Sequence, residues 1–150
     1  MEGQAGIRTL IVEASVATRR LLRKRLEVMG CSIVGETGNL KVGLEMFRQL
    51  HPLIVTLDVT ISQVEGFTTE DLFKSIRAEK PGVGIILISG GARSLSAMKY
   101  IAQGAIEYQE KPFVNFDRIR DKLDYLYPQM MARRGSRAPA TQSILRNQPI

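Results

Sequence analysis

The sequence predicts an α/β domain built as a doubly wound five-stranded parallel sheet with five helices. Three observations carry this. Short apolar runs rich in branched residues recur five times, each followed by a longer stretch with helical spacing. The runs are continuous rather than alternating in polarity, as strands buried on both faces must be. The alternation of strand and helix is strict, which is the order that lays helices on both faces of a parallel sheet.

The strands are read at Ile7 to Val12 (IRTLIV), Cys31 to Val34, Leu53 to Leu57 (LIVTL), Ile85 to Ile88 (IILI) and, weakest, Ile106 to Tyr108. In the first helix Ala17, Leu21, Leu22, Leu26 and Met29 are placed on one face, with Gly30 as the stop. Leu40, Leu44, Phe47 and Leu50 define the second, closed by Pro52. A third begins at Thr68, whose hydroxyl can cap it, and ends before Pro81. The fourth runs from about Ser94 to Gln103 and stops at Gly104, and the fifth carries Phe116, Ile119, Leu123 and Leu126 on its inner face.

A chain of 150 residues is enough for one domain with a real core. Hydrophobic content of 44% and charged content of 24% are those of an ordinary globular protein. No apolar run approaches the roughly 20 residues of a membrane span, and the start MEGQAGIR lacks the pattern of a secretory signal. A single cysteine, Cys31, read as a small buried residue of the second strand, fits a reducing cytoplasm. The net charge of +6 is concentrated in the last stretch, where residues 129–150 hold Arg133, Arg134, Arg137 and Arg146 and no acid. Residues 1–127 are therefore expected to form the domain and 128–150 a flexible basic tail, too short for a DNA-binding domain.

Ligand sites in open parallel sheets lie beyond the carboxyl ends of the strands. Glu13 follows the first strand, Asp58 the third, Ser89 the fourth, and Lys111 the fifth. An acid, an acid, a hydroxyl and an amine on one sheet edge suit phosphoryl transfer. A carboxylate can attack phosphorus to give an acyl phosphate, and the rest of the work is positioning and offsetting charge on the phosphate oxygens. Lys111 offers one positive charge, a divalent cation such as Mg²⁺ another, and Ser89 a donor hydroxyl. Each residue alone has a plainer reading: Asp58 as a turn residue, Lys111 as a surface lysine, Tyr108 as a half-buried strand aromatic. Gly90-Gly91 could mark a phosphate loop, but no G-x-G-x-x-G follows the first strand, which argues against a dinucleotide fold.

From about residue 7 to 127 the chain resembles a CheY-like (flavodoxin-like) receiver domain of two-component signalling. The resemblance is carried by L-D-V-T-I-S-Q-V-E-G at 57–66, by Ile88-Ser89-Gly90, and by Gly104-Ala105, Tyr108 and Lys111-Pro112-Phe113 in register. It implies that Asp58 is the phosphoacceptor, that Ser89 and Lys111 bind the phosphoryl group, and that Tyr108 is a switch residue. It also implies Mg²⁺ held by Glu13, Asp58 and the backbone carbonyl of Thr60. Expected partners are a sensor histidine kinase or histidine phosphotransfer protein, and a downstream protein meeting the face of helix four, strand five and helix five. The protein would be a monomer or a phosphorylation-dependent dimer, and no enzyme beyond slow self-dephosphorylation.

Two departures stand out. Where the family has adjacent acids after the first strand, this chain has Glu13-Ala14, so Ala14 takes the place of a direct metal ligand. Ile61-Ser62 replaces the usual Met-Pro. A pseudo-receiver, binding partners without phosphorylation, is the rival reading, and Ala14 is the feature in its favour. Arg19, Arg20, Arg23, Lys24 and Arg25 crowd the first helix, read as a solvated face or a partner-docking surface. His51, beside Pro52 and without companion ligands, is read as structural, and the tail as disorder or a contact to an acidic partner or nucleic acid.

Overall fold

The computed structural model describes residues 6–90, 95–113 and 115–130. Strands β1 (Ile7–Val12), β2 (Cys31–Thr37), β3 (Ile54–Asp58), β4 (Gly84–Ser89) and β5 (Glu107–Glu110) alternate with helices α1 (Val16–Val28), α2 (Leu40–Leu50), α3 (Thr69–Glu79), α4 (Leu95–Ala102) and α5 (Asp117–Leu126). All strand pairs are parallel and the order across the sheet is β2-β1-β3-β4-β5. The doubly wound five-stranded parallel sheet is therefore the observed fold. Helical backbone resumes at 128–130, and Met130 and Tyr127 pack against the core; residues 131–150, which hold most of the predicted tail, lie outside the described residues, as does Ser94.

Two apolar layers sandwich the sheet. Leu10, Val12, Val55, Leu57, Ile85 and Leu87 point to the side covered by α2, α3 and α4, where Phe47, Leu72, Phe73 and Tyr100 fill the space. Ile7, Ile11, Ile54, Ile86 and Ile88 point to the other side, beneath Leu22 and Leu26 of α1 and Ile119 and Leu123 of α5. The alternation along each strand is what splits them. Because both faces are covered, the inner strands β1, β3 and β4 are buried almost throughout, which explains their continuous apolar runs.

The helix starts follow local chemistry. Ser15 accepts from the Thr18 amide to cap α1, and Asn39 accepts from Lys41 and Val42 at α2. Thr68 and Asp71 make a reciprocal capping box at α3. Two expectations about buried faces fail. Leu21 is 41% exposed and Ala17 is exposed, because Leu22 and Leu26 set the buried stripe and Leu21 lies about 100° around the helix from Leu22. Leu126 is 39% exposed; after Leu123 the stripe passes to Tyr127, four residues on. Strand β2 extends three residues past its predicted end. The fifth strand lies at 107–110, later than its weak apolar run suggested. Among the described residues, no helix is long and apolar enough to cross a membrane.

Candidate functional site

The carboxyl ends of the parallel strands β1, β3, β4 and β5 bring the predicted residues to one sheet edge. The Glu13 amide donates to the Thr37 carbonyl at 2.9 Å, continuing the β1–β2 pairing one residue past the strand. Its side chain is thereby fully buried. Asp58 ends β3 at 1% exposure, and the next amide, Val59, donates to Ile88 of β4 at 3.0 Å. Ser89 ends β4, is buried, and accepts at its carbonyl from the Lys111 amide at 2.9 Å, which places Lys111 just beyond β5. The Lys111-Pro112 peptide is cis. After Asp58 the chain returns through a tight turn at Glu65 and Gly66, both at positive φ (49° and 84°). Val64 and Phe67 pair across it. Glycine at the second place removes the steric cost of that conformation.

Three charged groups converge. Lys111 Nζ donates to Glu13 Oε2 at 3.1 Å and sits 3.7 Å from Asp58 Oδ2. Glu13 Oε2 also accepts from the Ser15 amide at 3.1 Å. Asp58 Oδ1 accepts from Thr60 twice, from its amide at 2.9 Å and from its hydroxyl at 2.6 Å. Burial alone pushes the Asp58 carboxyl up, but the Thr60 hydroxyl and amide, Glu13 and the Lys111 charge outweigh it. The net shift is downward, so Asp58 stays ionised. Glu13 shifts the other way: burial and the facing Asp58 charge raise it against the pull of the Ser15 amide and Lys111.

Glu13 Oε1 is buried and has no donor. Protonated, it can share its proton with Asp58. Ionised, it needs a cation, since two buried carboxylates face one ammonium. A hard divalent ion that takes oxygen ligands and keeps several waters meets that need, so the donor set fits Mg²⁺. The set is lean, however. Among the described residues no group of three His, Cys, Asp or Glu converges, and Ala14, exposed beside Glu13, adds no ligand.

Glu13, Asp58 and Lys111 are thus brought into contact, and Ser89 is placed on the neighbouring strand end. Tyr108 is not part of the pocket. It lies half-buried on β5 against the α4-side core. The Arg118 guanidinium lies 4.9 Å over its ring and donates to its carbonyl at 2.8 Å. Sequence reasoning missed Arg118, and it missed that Thr60 acts on Asp58 through its hydroxyl. The basic run on α1 is only partly free. Arg23 pairs with Glu36 on β2 and with Glu27, Arg19 reaches Glu36 and the Glu13 carbonyl, and Arg25 lies over the Phe116 ring. Arg20 and Lys24 remain exposed.

A doubly wound α/β domain with buried acids and a lysine beyond the carboxyl ends of its strands defines a class whose work is done at that edge. The family is settled by comparison. The family model of the response regulator receiver domain matches residues 9–124. The chain is 31% identical to the chemotaxis protein CheY of Thermotoga maritima over 108 residues, covering 72% of this chain and 88% of that protein. It is 27% identical to CheY of Bacillus subtilis over 117 residues, 78% and 94% of the two chains. A protein-glutamate methylesterase of Symbiobacterium thermophilum is 30% identical, but the match spans only 34% of that larger protein. Among solved structures, the receiver domain of AraT from Geobacillus stearothermophilus superposes with a TM-score of 0.69 at 18% identity, over 87% of this chain and 99% of that one. CheY in a CheX–CheY–BeF3–Mg complex from Borrelia burgdorferi gives 0.67 at 20% identity, over 81% and 89%. The chain belongs to the response regulator receiver domain family, the module of two-component phosphorelay signalling.

Proposed function

We propose that this receiver accepts a phosphoryl group on Asp58 from a histidine kinase or histidine phosphotransfer protein and signals by protein–protein contact. The observation that carries the reading is the convergence of Asp58, Glu13 and Lys111 in a pocket where Glu13 Oε1 lacks a donor. Asp58, kept ionised, is the nucleophile: its new P–O bond forms as the donor's P–N bond breaks. Lys111 exchanges a carboxylate for the phosphoryl oxygens, and the Ser89 hydroxyl donates to them. Glu13, Asp58 and the Thr60 carbonyl would hold Mg²⁺, which supplies charge neutralisation of the transferring group. New contacts at Ser89 then bias Tyr108, and with it the face of α4, β5 and α5, toward the output state. The expected readout is intact mass after incubation with acetyl phosphate and Mg²⁺: an adduct in the wild type, none in Asp58→Asn. No adduct in the wild type, with acetyl phosphate or a cognate kinase, sinks the proposal.

A second reading has its own observation. With two carboxylates rather than three acids among the described residues, the pocket is short of one metal ligand. A receiver whose pocket stays in its present charge-paired form would serve as a partner-binding module without phosphorylation. The same mass measurement decides between them.

A further inference from the structure

We infer that Arg19 is a positioning residue for the candidate metal centre: by holding the Glu13 carbonyl it sets how the Glu13 carboxylate meets Asp58. The inference rests on the metal reading above and extends it to a residue outside the ligand set. Glu13 is fastened at three points. Its amide is bound in the β1–β2 pairing, and its Oε2 accepts from the Ser15 amide and Lys111. Its carbonyl accepts from Arg19 Nη1 at 2.6 Å. The last bond fixes the peptide plane between Glu13 and Ala14, and the Ser15 amide lies in the very next plane, linked to it through the two Ala14 dihedrals. Tilting it moves a donor of Oε2 and so re-aims the whole carboxylate.

Arg19 is itself held in place. Its Nε lies 3.5 Å from Glu36 Oε1, and its side chain is only 18% exposed. Gly38, just after β2, makes the room. A Cβ there would sit 2.9 Å from Arg19 Nη1, 3.3 Å from the Glu13 carbonyl oxygen and 3.4 Å from Ala14 Cα. Ala14 contributes no acid, so binding depends on how accurately Glu13 is aimed, and Arg19 gains leverage accordingly.

Charge and geometry make opposite forecasts here. A guanidinium near a cation site repels the cation, so removing it should tighten Mg²⁺ binding if charge alone acts. Positioning requires the reverse. The test is calorimetric titration of Mg²⁺ into the full chain as wild type, Arg19→Gln, Arg19→Lys, Gly38→Ala and the Arg19→Gln/Gly38→Ala double variant, with metal-free thermal melts to confirm folding. Arg19→Gln should weaken Mg²⁺ about tenfold, the range for partners that orient a ligand. Gly38→Ala should weaken it less, by displacing the same guanidinium. The double variant should be no worse than Arg19→Gln alone, since both act through one contact. Arg19→Lys, which keeps a donor, should recover part of the loss. Unchanged or tighter binding in folded Arg19→Gln overturns the inference alone, as do additive losses. If Arg19→Gln does not fold, unchanged affinity in Gly38→Ala overturns it. A wild type with no saturable Mg²⁺ binding overturns the metal reading and this inference with it.

Discussion

The two ends of the sheet make an instructive pair. At the amino-terminal ends of the strands, Phe47, His51, Pro52, Leu53, Pro81 and Val83 line a groove of about 440 Å³. Its charges sit at the rim, where Arg48 and Glu79 pair at 2.6 Å. At the carboxyl ends the pocket holds two buried carboxylates and a lysine. An apolar groove wall makes no demand that van der Waals contact cannot meet. A buried carboxylate oxygen without a donor does. Unmet polar demand, at Glu13 Oε1, is what marks the carboxyl end as the candidate site of this molecule.

The sharpest test of that contrast is at the quiet end. Phe47 is 2% exposed, and Phe47→Ala should cost about 3 kcal/mol in urea unfolding while acetyl phosphate still modifies Asp58. Loss of the adduct in a folded variant would mean that the ends are coupled and the contrast is false. Next in size is Ala14→Asp, which adds the missing acid and should tighten Mg²⁺ about tenfold by titration. Unchanged affinity would show that Glu13 already completes the set or that no metal binds there. The smallest change is expected in the metal-free stability of Glu13→Gln, which should rise at neutral pH by about 1 kcal/mol. The sign follows from the raised Glu13 carboxyl. Below the ordinary value of 4.5 both folded and unfolded chains are protonated there. As the pH rises past it, the unfolded chain ionises freely and the folded one resists, so wild-type stability falls. The gain in Glu13→Gln should therefore open above that pH and vanish below it; equal melts across the range would contradict a strained pocket.

Much of this was legible in the sequence because strand ends are local. The run IRTLIV ends where β1 ends, and the polar residue after it, Glu13, is the one that meets Asp58 and Lys111 in the candidate site. What was illegible depends on contacts between distant segments. The partner of Arg19 and Arg23 is Glu36 on an edge strand, and nothing in the α1 sequence distinguishes those arginines from exposed Arg20. The Thr60 hydroxyl was hidden by its own backbone, since the resemblance draws attention to the carbonyl. Leu21 and Leu22 are chemically identical, and only the packing of Leu22 and Leu26 against the sheet decides which is buried.

The strand order has one further consequence. Glu13, Asp58 and Ser89 follow or end β1, β3 and β4, each paired on both sides, whereas Tyr108 and Lys111 belong with β5, which pairs only with β4. The interior strands can open only when the whole domain does. A four-residue strand bonded on one side can loosen alone, at a fraction of that free energy. Acids and hydroxyl therefore share the most cooperative part of the molecule, and Lys111 joins them to a margin that can rearrange independently.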